Sequence, residues 1–215
     1  MTNKTCPICN NVAPPRLKKG NVEYCQCSSC GTLFSEPLPN EDMVGGGNEI
    51  PRNVDQNHIR IARIDELTVK MKKEDVRILD FGCGSGMLLN DFRKAGYNCD
   101  GYDAYSNEFS RFPEKNKYDI VTVVEVVEHL SAPFVEIDVI SRSLMTNGIV
   151  MFETSFTDVA EEEGIALEDF FYVEPSVGHS TIFSHWGLDL LMALKGFKPI
   201  QHWNRHVRGY QKLYK

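Results

Sequence analysis

Three sets of residues in this chain have the types and spacing to do chemistry. The first is built from thiolates. Cys6-Pro7-Ile8-Cys9 and Cys27-Ser28-Ser29-Cys30-Gly31 are two CxxC pairs with seventeen residues between them. Each pair forms a tight knuckle offering two sulfurs, and two knuckles complete a tetrahedral four-sulfur zinc site with no position open to substrate. Cys6, Cys9, Cys27 and Cys30 are therefore the expected ligands. The expected role of Zn2+ is structural, because about thirty residues bury too small a core to fold alone. Cys25 is an extra thiol whose spacing to Cys30 suits a knuckle less well.

The second set is a glycine turn. Val76 to Phe81 is short, apolar and carries β-branched residues, and it runs directly into Gly82-Cys83-Gly84-Ser85-Gly86 and then a helical pattern over Met87 to Ala95. Glycines at every second position let the backbone turn tightly and approach a ligand, with the first helical N–H groups free to bind it. Asp103 stands 21 positions after Gly82, at the end of a second short strand over Asn98 to Tyr102. An acid there can bind a ribose diol. The third set is acid and imidazole: Glu125, Glu128 and His129 follow the buried parallel-type strand Tyr118 to Val124, and His179 lies farther on.

Leu79-Asp80-Phe81-Gly82-Cys83-Gly84-Ser85-Gly86 resembles motif I of the class I S-adenosylmethionine (SAM)-dependent methyltransferases. Tyr118-Asp119-Ile120-Val121 followed by Glu125-Val126-Val127-Glu128-His129-Leu130 is similar to that family's fourth strand and the loop after it. A nicotinamide-binding fold is the rival, but its fingerprint has GxGxxG spacing, which this chain lacks. The resemblance covers about residues 52–215. It implies an α/β fold with a doubly wound, Rossmann-like seven-stranded sheet, and SAM held by Asp80, Gly82, Cys83, Gly84, Gly86, Asp103, Ala104 and Glu125. It also implies that Glu128, His129 and His179 are the catalytic residues.

SAM already carries its leaving group, so an enzyme of this kind must align the acceptor and, for a hydroxyl, remove its proton. Glu-x-x-Glu-His plus a distant His resembles the metal-binding set of small-RNA 2′-O-methyltransferases and of some ubiquinone-pathway O-methyltransferases. Carried over, it implies Mg2+ or Mn2+ at Glu125, Glu128, His129 and His179. Two other readings stay open: His129 or His179 as a metal-free base, and purely structural roles.

The elements that must position these residues follow in chain order. Residues 1–38 read as the zinc ribbon, 39–51 as a linker rich in glycine and proline, and 52–215 as the methyltransferase domain. Asn53 to Lys73 reads as a helix that packs beside the methyltransferase domain, either covering the cofactor cleft or serving packing alone. Only fourteen residues separate Asp103 from Tyr118, where a full fold of this family has a helix, a third strand and a connection. The helix Phe134 to Met145 and the strand Ile149 to Phe152 come next. Residues 153–178 read as an acidic and aromatic lid or substrate-binding insertion. A helix over Trp186 to Lys195 and two antiparallel terminal strands close the chain.

Composition narrows the function. The 215 residues are 42% hydrophobic and 25% charged, an ordinary globular balance, and the formal net charge of −7 disfavours broad attachment to nucleic acid or an anionic membrane. The N-terminus lacks a signal-peptide core and no run reaches the length of a membrane span, so the expectation is a cytoplasmic protein with reduced, metal-bound thiols. From Ser143 to Leu194 there is no Lys or Arg, whereas Lys195 to Lys215 holds six and no acid. The favoured reading is two solvated surfaces of opposite sign. The expected acceptor is a hydroxyl of a small molecule or glycan-linked metabolite. The alternatives are an RNA methyltransferase and an inactive adaptor binding a partner through the ribbon; oligomeric state stays open.

Overall fold

The computed structural model describes residues 2–35, 55–130 and 132–214. The expected linker 39–51 lies outside the described residues. No helix among them is long and apolar enough to cross a membrane.

Each zinc-type knuckle sits where a hairpin turns. The first lies between β1 (Lys4–Thr5) and β2 (Val12–Ala13), and the second between β4 (Val22–Gln26) and β5 (Leu33–Ser35), with β3 (Pro15–Lys19) on the far side of β4. The outer strand of this small sheet comes from much later in the chain. β10 (Thr181–Ile182) pairs antiparallel with β5, Thr181 opposite Phe34 and Ile182 opposite Leu33. The ribbon is therefore sewn into the second half of the chain, and one apolar cluster runs from Tyr24, Leu33 and Phe34 to Phe156, Phe170 and Phe183.

The main sheet is mixed. Its order is β11 (Phe197–His202), β12 (Val207–Lys212), β9 (Leu144–Glu153), β8 (Tyr118–Val124), β6 (Arg77–Phe81), β7 (Asn98–Tyr102), with β9, β8, β6 and β7 parallel and the last two strands of the chain antiparallel. The chain runs outward from β6 to β7, then returns to the other side of β6 as β8. That reversal opens a crevice beyond the carboxyl ends of β6 and β8, where ligands bind in sheets of this kind.

The expected seventh strand is not there. Residues 104–117 form turns rather than a helix and a strand, so the described sheet has six strands and ends at β7. The short connection still covers that end. Phe109 packs towards Gly86 and Gly101, Phe112 stacks on Tyr102 with ring centres 5.4 Å apart, and Lys117 pairs with Asp100. The insertion after β9 also differs from an open lid. It forms α4 (Thr157–Glu162) and buries Phe156, Val159, Phe170, Tyr172 and Val173.

Around the sheet lie α1 (Asn57–Leu67), α2 (Met87–Lys94), α3 (Pro133–Ser143) and α5 (His185–Leu194). α1 is shorter than the periodicity predicts, and a buried ion pair pins it. Arg60 and Arg63, one helical turn apart, both reach Glu153 at the end of β9, at 2.5 Å and 2.8 Å. Asn57 ties the same helix to Asp91 of α2 at 2.9 Å. Removing one partner strands the other charge in the interior. Glu153→Ala is expected to lower the unfolding free energy by about 3 kcal/mol or more, seen as a lower urea midpoint; a midpoint near that of the wild type would show that Arg60 finds water instead.

Candidate functional site

The crevice is lined first by the glycine turn. Gly82, Gly84 and Gly86 all have positive φ, at 77°, 53° and 82°, a region that L side chains rarely enter. At Gly82 a Cβ would also lie 2.2 Å from Val126 Cγ2, so the turn after β6 and the turn after β8 touch only because this position has no side chain. The Cys83 thiol packs against Gly101, and burial pushes it up to about 12. That shift favours the thiol over the nucleophilic thiolate. Gly86 opens α2 as its left-handed N-cap, with no side chain capping the first N–H groups.

Two acids frame this turn. Asp80 is buried, accepts a hydrogen bond from Thr122 Oγ1 at 2.9 Å, and is pushed by burial up to about 6. Asp103 accepts from the Gly84 N–H at 3.0 Å and from the Tyr105 N–H at 2.8 Å, which holds its carboxylate over the glycine turn; Ala104 beside it is exposed.

The second wall is built after β8. Glu125 has φ +53°, and its N–H donates to Glu153 O at 2.8 Å, which holds this left-handed residue in place. After Val126, the three residues Val127–His129 make a tight turn that carries Glu128 inward. Glu128 is fully buried, accepting from Thr154 Oγ1 at 3.0 Å and from the Tyr172 hydroxyl at 2.5 Å. The same hydroxyl reaches Glu125 at 3.1 Å. Burial first, and the Glu128 charge second, push Glu125 well above the usual carboxylate range, which favours its protonated form. Burial holds the Tyr172 hydroxyl far above its ordinary value, so it remains a donor.

His179 comes to this wall on the loop just before β10. Its Nδ1 lies 2.7 Å from the Tyr172 carbonyl, which can only accept, so Nδ1 carries the hydrogen and Nε2 presents a lone pair. Burial lowers its pKa, which favours the neutral ring. The ring centre of His129 is 4.9 Å away, and His129 Nδ1 is buried with no hydrogen-bond partner. Candidate ligand atoms of Glu128, His129 and His179 all lie within 4.8 Å of one another. Glu125 stays outside that group, joined to it through Tyr172.

The four predicted cysteines also converge. Their sulfurs lie within 4.8 Å of one another, Cys6 to Cys30 at 3.6 Å and Cys9 to Cys27 at 3.4 Å, with the Ile8 N–H directed at Cys6 Sγ. Four thiols so placed fit one tetrahedral ion. Cys25 lies on β4, outside the cluster.

Reading the sequence misses Arg60, Arg63, Glu153, Thr154 and Tyr172. Arg60 favours the charged forms of Asp80 and Glu125 across the crevice. One signal was available: Glu153 ends an apolar strand on the same rim as Asp80 and Glu125, and a buried acid there requires a cation. Tyr172 gave none, since nothing local marks it within an aromatic stretch. The basic C-terminal end is solvated only in part: Lys198 and Arg205 are exposed, while the other described cations there turn to partners within the chain. Lys195 pairs with Asp138, Arg205 with Glu163, Arg208 lies over Phe156, and Lys212 donates to the carbonyls of Ser141 and Leu144.

Comparison with known proteins agrees with this geometry. A family model described as a methyltransferase domain matches residues 53–202. The ubiquinone biosynthesis O-methyltransferase of Hydrogenovibrio crunogenus is 29% identical over 119 residues, 45% of this chain and 49% of that protein. The enzyme of the same description from Rickettsia typhi is 28% identical over 122 residues, 46% of this chain and 49% of that protein. The chain thus spans about half the length of the curated relatives it matches. Among solved structures, the plantazolicin methyltransferase BpumL in complex with S-adenosylhomocysteine superposes with a TM-score of 0.55 at 14% identity, over 77% of this chain and 86% of that one, a likeness of fold.

Tyr172 is the hinge of the second wall. Tyr172→Phe leaves Glu125, Glu128 and Thr154 without their shared hydroxyl, and is expected to cost about 2 kcal/mol of stability, measured by urea unfolding. An unchanged midpoint would mean that the two carboxyl groups satisfy each other by sharing a proton.

Proposed function

The chain belongs to the methyltransferase domain family, and from that premise we propose that it transfers a methyl group from SAM to a hydroxyl of a small-molecule acceptor. What supports this reading is that the glycine turn after β6, with Asp103 held to it by the Gly84 N–H, touches the turn after β8 at Gly82 and Val126. That second turn leads to Glu128 and His129, which His179 joins. Bound SAM supplies a methyl group on a sulfonium, already activated for displacement. Asp103 is oriented for the ribose hydroxyls, while Asp80 and the glycine turn receive the amino-acid end, with Glu125 beside it. The neutral His179 presents Nε2 as the base for the acceptor's proton, with His129 beside it; positioned bases of this kind contribute about 10²- to 10⁴-fold.

A second reading of the same wall has its own support. Two imidazoles and a carboxylate within 4.8 Å, one ring nitrogen buried without a partner, fit a divalent cation, and imidazole suits Mn2+ better than Mg2+. A cation held there would bind the acceptor oxygen and lower its pKa. The four-cysteine cluster fits structural Zn2+. RNA is the weaker acceptor, because the basic residues that suggested it are largely engaged within the chain. A small-molecule acceptor is also in keeping with the described role of the ubiquinone-pathway relatives.

S-adenosylhomocysteine titrated calorimetrically into the zinc-loaded chain is expected to bind in the micromolar range, and Asp103→Ala to weaken it about tenfold. Absence of binding by the folded wild type moves the adaptor reading to first place. The pH dependence has a definite sign. A carboxylate raised to about 6 is charged above that pH and attracts the ligand's ammonium group, so affinity falls as pH drops through about 6, and Asp80→Asn is weak and flat across the same range. Labelled methyl transfer into a panel of hydroxylated small molecules, with and without Mn2+ after chelation, separates the base from the cation. His179→Ala is expected to lose about 100-fold or more in rate, and transfer confined to RNA would overturn the small-molecule reading.

A further inference from the structure

We propose that the ribbon is part of the acceptor site's framework: Tyr24 on β4 is a positioning residue for His179, and the metal in the four-cysteine cluster keeps Tyr24 in place. This rests on the reading of His179 as a methyl-transfer residue. The Tyr24 hydroxyl, on a fully buried side chain, donates to the His179 carbonyl at 2.6 Å, across 155 positions of sequence. Next to it, the Ser35 N–H donates to the Ser180 carbonyl at 2.8 Å, and β5 pairs with β10 through Phe34–Thr181 and Leu33–Ile182.

The opposite side of the same short segment faces the catalytic turn. The Ser180 N–H donates to the Glu128 carbonyl at 2.9 Å, and Ser180 Oγ and Thr181 Oγ1 reach the Leu130 carbonyl. Residues 179–182 are thus clamped between the ribbon sheet and the turn that holds Glu128 and His129. A two-residue strand cannot hold itself; its position is the sum of these two sets of hydrogen bonds. If the ribbon side is loosened, His179 loses the restraint on its backbone while the glycine turn, which the ribbon does not touch through any of these bonds, keeps its geometry.

The metal enters through the second knuckle. Cys27 and Cys30 lie in the turn joining β4 to β5, where the Cys27 N–H donates to the Thr32 carbonyl at 3.0 Å and the Gly31 N–H to the Cys27 carbonyl at 2.8 Å. That turn fixes the register of Tyr24 against Ser35. It is also locked to the start of α5: Ser184 Oγ donates to the Cys30 carbonyl, and at Gly187 a Cβ would lie 2.2 Å from Thr32 Oγ1. Because a ribbon of this size needs its ion to fold, loss of the ion releases β5, then β10, then His179.

The test follows the ring proton of His179. A buried Nδ1–H bonded to a carbonyl gives a slowly exchanging downfield proton resonance, which His179→Gln assigns by its loss. In Tyr24→Phe the exchange of this proton is expected to be at least about tenfold faster, and kcat for methyl transfer about tenfold lower, with S-adenosylhomocysteine affinity within twofold of the wild type. Tyr97→Phe removes a buried hydroxyl that bonds Asp65 far from this wall, and is expected to lower stability without changing the resonance. Chelation of zinc from the full chain is expected to abolish the resonance while the ligand still binds.

The same exchange rate and kcat in Tyr24→Phe as in the wild type would overturn the proposal. So would loss of ligand binding together with the resonance, since Tyr24 would then support the whole domain, and persistence of the resonance after zinc removal would overturn the role of the metal. Failure of the methyltransferase reading itself shows differently, as absence of ligand binding by the wild type, and leaves the ring-proton comparison decisive.

Discussion

Four carboxyl groups, those of Asp80, Glu125, Glu128 and Glu153, are gathered at the carboxyl edge of one sheet, three of them buried and Glu125 close behind. Burying a charge costs several kcal/mol unless it is paired or neutralised, and most of the unusual features of this structure answer that constraint. α1 brings Arg60 and Arg63 to Glu153, and Arg60 also favours the charge on Asp80 and Glu125. Thr122 serves Asp80 from within the sheet. Thr154 and Tyr172 serve Glu128, and burial favours the protonated form of Glu125. The parts of the chain before and after the sheet are held where they are because these acids need partners.

That arrangement also separates two electrostatic environments on one crevice. Around the glycine turn, Thr122 and Arg60 favour the charged form of Asp80 against its burial. A few residues away, burial favours the uncharged forms of Glu125, Tyr172 and His179. Divergent environments on neighbouring groups are how a single cleft assigns acid and base roles. The insertion after β9 is what makes the second environment, since it supplies the tyrosine and buries it.

Loss of the third strand is offset locally. β7 becomes an edge, and edges invite pairing with other chains unless covered or charged. Here Phe112 stacks on Tyr102, while Lys117 and Tyr118 both reach the Asp100 carboxylate, which places charge and bulk along the exposed margin. The ribbon sheet handles its own edge differently, taking β10 as an outer strand. In doing so it joins the first thirty-five residues to the segment that carries His179.

The sequence by itself determined whatever depends on neighbours along the chain. The strand and helix around the glycine turn, Asp103 at the end of β7, the CxxC knuckles, the strand leading to Glu125 and the terminal hairpin are all written in short-range spacing, because a turn, a knuckle or a period is completed within a few residues. The family resemblance rested on these same stretches. The tertiary structure alone decided the rest. Tyr172 meets Glu128, Arg60 meets Glu153, Tyr24 meets His179 and β10 joins β5 only once the chain has folded, and each pair is separated by between 44 and 155 positions. The sheet stops at six strands because fourteen residues are too few for a helix and a strand, a shortage visible in the sequence whose outcome was not. Contacts of this kind leave no local pattern, since what selects them is the cost of leaving a buried charge or a short strand without a partner.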